Sequence, residues 1–150
     1  GTYARMNPPL RKEADRQALI DALADGTIDM IATDHAPHTA EEKAREFAKA
    51  PSGITGLETA FSVCNTYLVK TGRLTPMQLI EKMSKAPAEV YGLAGRAVAA
   101  GNFARLVLLD WDSEMIYKEY KSKAINTPYT GMPLIGAPRA IVTGARVTAR

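Results

Sequence analysis

A short run, Ile28-Asp29-Met30-Ile31-Ala32-Thr33, constrains this chain more than any other feature. It is mostly apolar and lies between Gly26 and a polar cluster that begins at Asp34, a pattern that suits a buried parallel strand. Such a strand delivers Asp34 to its C-terminal end. Upstream, residues 2–6 read as a short strand, stopped by Asn7-Pro8-Pro9 because consecutive prolines lack the amide donors a ladder needs. Ala14, Ala18, Leu19, Ala22 and Leu23 then recur at helical spacing over residues 12–24, with Gly26 as the C-terminal stop. After the run, residues 40–49 read as a short charged helix. Pro51-Ser52-Gly53 makes a break, and residues 57–69 form an amphipathic segment. The order strand, loop, helix, strand, loop, helix defines an α/β class.

Thr75-Pro76-Met77-Gln78 matches a capping box with proline at the first helical position, predicting a helix to about residue 85. Residues 87–91 add a further turn or two, which Gly92 ends in a left-handed conformation. Beyond this the pieces become strand-like, at residues 106–109, 115–117, 140–143 and 146–149, separated by Gly and Pro. They predict a β-rich appendage. No internal repeat or low-complexity tract interrupts the chain.

Composition excludes several classes of function. With 46% hydrophobic and 23% charged residues among 150, neither disorder nor a membrane class is indicated. The 19 basic and 16 acidic residues are interleaved, and no basic stripe with interspersed aromatics points to nucleic acid. The single cysteine, Cys64, rules out an internal disulfide and a cysteine-based zinc cluster, and its apolar surroundings predict a buried, inert thiol. There is neither a signal peptide nor an apolar run long enough to span a bilayer, so a cytoplasmic setting is the expectation.

The densest chemical signal is Thr33-Asp34-His35-Ala36-Pro37-His38, which holds both histidines of the chain. Carboxylate and imidazole are ligand types that suit zinc and related divalent ions. The same cluster also fits a solvated loop whose aspartate caps the next helix. Asn7 fits a turn before Pro8, and His38 fits a surface loop. Arg11 suits a substrate carboxylate or an exposed salt bridge, and Glu58 suits support of its loop and helix start.

Asn7-Pro8-Pro9-Leu10-Arg11, then Asp34-His35-Ala36-Pro37-His38, then Pro51-Ser52-Gly53-Ile54-Thr55-Gly56-Leu57-Glu58 resemble, in order and spacing, the signature series of bacterial type I dihydroorotases in the amidohydrolase superfamily. Leu106-Val107-Leu108-Leu109-Asp110 and Asn126-Thr127-Pro128-Tyr129-Thr130-Gly131-Met132 resemble stretches nearer that family's C-terminus. The resemblance implies the C-terminal part of a distorted (β/α)8 TIM barrel with a small β-sandwich appendage. Residues 1–97 would supply the last barrel strands and helices, and residues 98–150 the C-terminal part of the sandwich. A barrel typically takes about 250 residues, so this chain is expected to be a fragment, inactive alone and a weak metal binder.

It further implies hydrolysis of the cyclic amide of dihydroorotate to carbamoyl aspartate, in pyrimidine biosynthesis, with one or two zinc ions activating water. Asp34 resembles the family's catalytic aspartate, which lies against the metal and serves as general base and then acid. Asn7, His38 and the backbone of Ser52 and Gly53 resemble its substrate contacts, and His35 is expected to support the site from behind. A related cyclic amidase acting on hydantoins, dihydropyrimidines or allantoin shares this pattern, as does an inactive subunit that scaffolds a transcarbamoylase. The partners implied are the small-molecule substrate and either a homo-oligomer or an aspartate transcarbamoylase. Arg105 stands where the family usually has an acidic residue, and Ser52 where a bulkier one is common.

Overall fold

In the computed structural model, which describes residues 1–93 and 97–149, helical segments precede a three-stranded antiparallel sheet. Helix α1 (Glu13–Asp25) ends at Gly26, whose φ of 93° is the left-handed cap its sequence predicts. Its buried residues are Ile20 and Leu23, while Leu19 is exposed. The core stripe is therefore rotated from the one predicted, and the β-branched Ile20 takes the inward position instead of Leu19.

Three predicted elements differ. Residues 2–6 are not a strand; Thr2–Ala4 is one 3-10 turn. Residues 28–33 are not a strand either, with a bend at Ile28 and no ladder partner among the described residues. Their polar groups turn elsewhere: the Ile31 amide donates to the Lys82 carbonyl at 3.0 Å, and Lys82 Nζ donates to the Ile28 carbonyl. The charged helix is a single turn, α2 (Ala40–Lys43), entered through a capping box in which the Thr39 hydroxyl accepts from the Glu42 amide and Glu42 answers to the Thr39 amide.

Helix α3 (Ala60–Cys64) continues into a π turn, Asn65–Val69. Helix α4 (Pro76–Ile80) starts at the Thr75 cap as predicted, with Thr75 Oγ1 accepting from the Gln78 amide at 3.2 Å. It continues through a π turn, Glu81–Lys85, into α5 (Ala86–Val90), and Gly92 follows at φ 66°. Leu23, Phe61, Leu74 and Leu79 form the core, joined by Ile28 and Ile31 of the apolar run and by Leu109 and Trp111 of the sheet. Phe61 meets Trp111 edge to face at 5.1 Å.

The sheet comprises β1 (Arg105–Ile116), β2 (Pro133–Thr143) and β3 (Arg146–Ala149) in sequential order. The pieces predicted at 106–109 and 115–117 are largely one strand, bridged by irregular register. Arg139 is an extra residue beside Pro138, where the ladder lacks an amide. Residues 111–113 bulge on β1, and Asp110 accepts the freed amides of Asp112 and Ser113 at 3.0 Å each. The sheet docks on α3 through buried polar groups. Ser62 Oγ bonds Tyr117 Oη and the Gly136 carbonyl, and Asn65 Nδ2 donates to the carbonyls of Trp111 and Ile135.

Candidate active site

The apolar run of residues 28–33 ends at Asp34, whose φ of 44° makes it the non-glycine residue with left-handed backbone among those described. Aspartate tolerates this region better than most residues, and the kink redirects the chain after the run. The side chain is exposed and its carboxylate has no hydrogen bond or ion pair among the described residues. It does not cap a helix.

His35, half buried, faces the other way. Its Nδ1 accepts from the amides of Gly56 and Leu57, at 3.1 and 3.3 Å, which fixes the neutral ring with its proton on Nε2. The Ala36 amide donates to the Ile54 carbonyl at 2.9 Å. These bonds bind the segment that carries Asp34 to the loop at residues 51–57.

His38 joins the same loop. Its Nε2–H donates to the Ser52 carbonyl at 2.9 Å, its amide donates to Asn126 Oδ1 at 3.0 Å, and its Nδ1 lies 3.8 Å from Glu42. Gly53, at φ 110°, admits the close approach: a Cβ there would lie 2.5 Å from that of Ala36. The Gly53 amide donates to the Arg5 carbonyl at 2.9 Å, tethering the loop to the segment that leads into Asn7. Asn7 itself is exposed, before a cis bond to Pro8. His38, Ser52 and Gly53 are thus brought together directly, with Asn7 linked through Arg5 and Asp34 through its neighbours in sequence.

Two buried residues that sequence reasoning left aside complete the arrangement. Lys43, 2% exposed, donates from Nζ to the carbonyls of Pro51 and Gly53, both at 3.0 Å. Burial, followed by the Arg5 charge, lowers its pKa below the ordinary lysine value. Asn126, also 2% exposed, donates from Nδ2 to the Ala36 carbonyl at 3.0 Å and to that of Gly53 at 3.4 Å, and its carbonyl accepts the Thr55 amide. Asn126 lies in a quoted family stretch. Lys43 gave no local signal, since a lysine in a charged run reads as exposed.

Glu58 supports its surroundings across the chain, accepting the amides of Lys121 and Ser122. Arg11 is exposed and 3.7 Å from Asp15. Burial pushes the Cys64 thiol up to about 11, in keeping with the inert role expected of it. Among the described residues no three His, Cys, Asp or Glu side chains are grouped to hold a metal. The unpartnered carboxylate of Asp34 has the chemistry of one ligand of a divalent ion and would not by itself hold one.

The profile of the Amidohydrolase family matches residues 6–141, and the chain belongs to that family. Curated relatives that it resembles include dihydroorotases. That of Clostridium acetobutylicum is 48% identical over 149 residues, 98% of this chain and 35% of the relative. That of Ligilactobacillus salivarius is 53% identical over 138 residues, 89% of this chain and 32% of the relative. The chain therefore spans about a third of the length of these relatives. Among solved structures, L-hydantoinase (dihydropyrimidinase) from Arthrobacter aurescens matches at 30% identity and TM-score 0.87, covering 100% of this chain and 35% of that one. D-hydantoinase (dihydropyrimidinase) from Thermus sp. matches at 30% and 0.82, covering 99% and 34%.

Proposed function

We propose that this chain is part of a dihydroorotase, which reversibly hydrolyses the ring amide of (S)-dihydroorotate to N-carbamoyl-L-aspartate in pyrimidine biosynthesis. The observation that carries this reading is 48% identity across 98% of the chain to a curated dihydroorotase, against 30% to the hydantoinase whose backbone it follows. In this reading residues 1–97 form the last strands and helices of the (β/α)8 barrel, and residues 98–150 the C-terminal part of the sandwich. The antiparallel order of β1, β2 and β3 supports the second assignment. A cytoplasmic enzyme of a biosynthetic route suits a chain with no helix, among the described residues, long and apolar enough to cross a membrane.

Asp34 is the proton carrier and a ligand of the metal, one or two zinc ions in the whole protein. A bound zinc ion supplies a water whose pKa is lowered to roughly 7. Asp34 takes the proton from the attacking water as its oxygen adds to the ring carbonyl, and returns it to the ring nitrogen as the carbon–nitrogen bond breaks. Its exposure and lack of a protein partner leave one oxygen free for a metal ion and the other for that transfer. Asn7, His38 and the backbone of Ser52 and Gly53 bind the substrate. Because the His38 Nε2–H is committed to Ser52, Nδ1, which lies 3.8 Å from Glu42, is the ring atom left to meet a ligand. His35 holds the base from behind through its bonds to Gly56 and Leu57.

Steady-state assay of the whole protein on dihydroorotate and on hydantoin tests the reading. A higher kcat/KM on dihydroorotate supports it. A preference for hydantoin assigns the protein to the related cyclic amidases, the second reading favoured by the fold match. Inactivity on both, with metal bound, indicates a scaffold subunit for a transcarbamoylase.

A further inference from the structure

The loop at residues 51–55 is held from behind by two side chains that the functional reading does not use. Lys43 is a buried ammonium whose two bonded acceptors are main-chain carbonyls, those of Pro51 and Gly53, with no carboxylate among them. A lysine is rarely this buried, and an ammonium held without a counter-ion opposes folding unless its donors are satisfied. Asn126 converges on the same Gly53 carbonyl and also bonds Ala36 and the His38 amide. Together they determine which way the peptide groups of the loop face.

One consequence concerns the loop's donors. The Gly53 amide is taken by the Arg5 carbonyl and the Thr55 amide by the Asn126 carbonyl. The Ser52 and Ile54 amides, which share their peptide groups with the Pro51 and Gly53 carbonyls, have no partner among the described residues. We propose that Lys43 and Asn126 are positioning residues: Lys43 draws the Pro51 carbonyl inward and so turns the N–H of the same peptide group, that of Ser52, outward as a donor to an oxygen of the substrate, while Lys43 and Asn126 together fix the Gly53 carbonyl on which that turn of the loop rests. The proposal rests on the reading of this loop as a substrate contact, and deepens it.

Lys43→Met in the whole, metal-loaded protein keeps the length of the side chain and deletes its donors. KM is expected to rise about tenfold or more with kcat within about threefold, the signature of lost binding that is uniform between ground and transition states. Asn126→Asp keeps the acceptor for the His38 amide, replaces the donor to Gly53, and produces the same split. Because both side chains act on one carbonyl, the double variant raises KM by less than the product of the two single effects. Unchanged KM, or a fall in kcat with KM unaltered, overturns the proposal.

Hydrogen exchange in the wild-type protein gives an independent readout should the variants fail to fold. Gly53 and Thr55 exchange slowly without ligand, and Ser52 slows only when carbamoyl aspartate is added. Slow exchange at Ser52 before ligand, or protection of Gly53 that appears only with ligand, contradicts it. If the wild type turns over hydantoin and not dihydroorotate, the substrate reading fails, and Lys43 is then judged by the same split in KM for hydantoin and by protection with the hydrolysed hydantoin.

Discussion

Asp34 occupies a backbone region that costs a non-glycine residue energy, about 1 kcal/mol or more, at the mouth of a segment otherwise tied down on both sides. Such strain persists where neighbouring bonds over-determine it, here those of His35, Ala36 and His38. Asparagine also tolerates left-handed backbone, so Asp34→Asn separates chemistry from conformation. In the whole protein it is expected to lower kcat by about 10² to 10⁴ while the melting temperature stays near wild type. Cys64 makes the opposite kind of prediction. With its thiol pushed up to about 11 by burial, alkylation of the native protein at neutral pH is slow and accelerates upon unfolding. Rapid labelling of the native state at pH 7 would show the thiol to be activated.

Among the elements, the bulged β1–β2 pair ties stability to pH. The Ser113 amide first, then the Arg139 guanidinium and the Asp112 amide, hold the Asp110 carboxyl well below the usual carboxylate range. Its folded pKa is thus below the unfolded value of about 3.9, so its stabilisation is present above that pH and is lost as pH falls toward the folded value. Melting temperature measured from pH 5 downward falls, and Asp110→Asn flattens that part of the curve. Gly136 marks the tightest contact between sheet and helix. A Cβ there would lie 2.6 Å from Asn65 Nδ2 and 2.8 Å from the Asp110 carbonyl, at a φ of 84°. Gly136→Ala is expected to cost about 2–4 kcal/mol in denaturant unfolding.

What was legible in the sequence follows the range of the forces involved. The Thr75 cap, the Gly26 stop and the break at Gly53 are decided within a few residues, and they stand where the pattern puts them. A strand is decided by its partner, and residues 28–33 find their bonds on Lys82, not on a neighbouring ladder. The bulges that join two predicted strands into β1 depend on the proline and the extra residue of the opposite strand. In the candidate site, Asp34 and His38 announce themselves by residue type. The burial of Lys43 is invisible until residues 51–53 fold over it.

For the whole molecule, about a third of the relatives' length carries one proposed metal ligand and the proposed substrate contacts Asn7, His38, Ser52 and Gly53. Val107, Leu108 and Ile116 of β1, Ile141 of β2 and Val147 of β3 are exposed, and all four residues of β3 are exposed. Isolated, the 150 residues are expected to associate as concentration rises, which sedimentation would detect. Equimolar zinc should separate from the chain in gel filtration.

The central claim is that the chain's carboxylate at position 34 carries protons for hydrolysis of dihydroorotate. Its most direct test is turnover of dihydroorotate by the whole protein, wild type beside Asp34→Asn, with the bound metal of each preparation quantified. The account predicts an active wild type and a variant whose kcat collapses at equal metal content. A variant as fast as wild type with the same metal bound would contradict it.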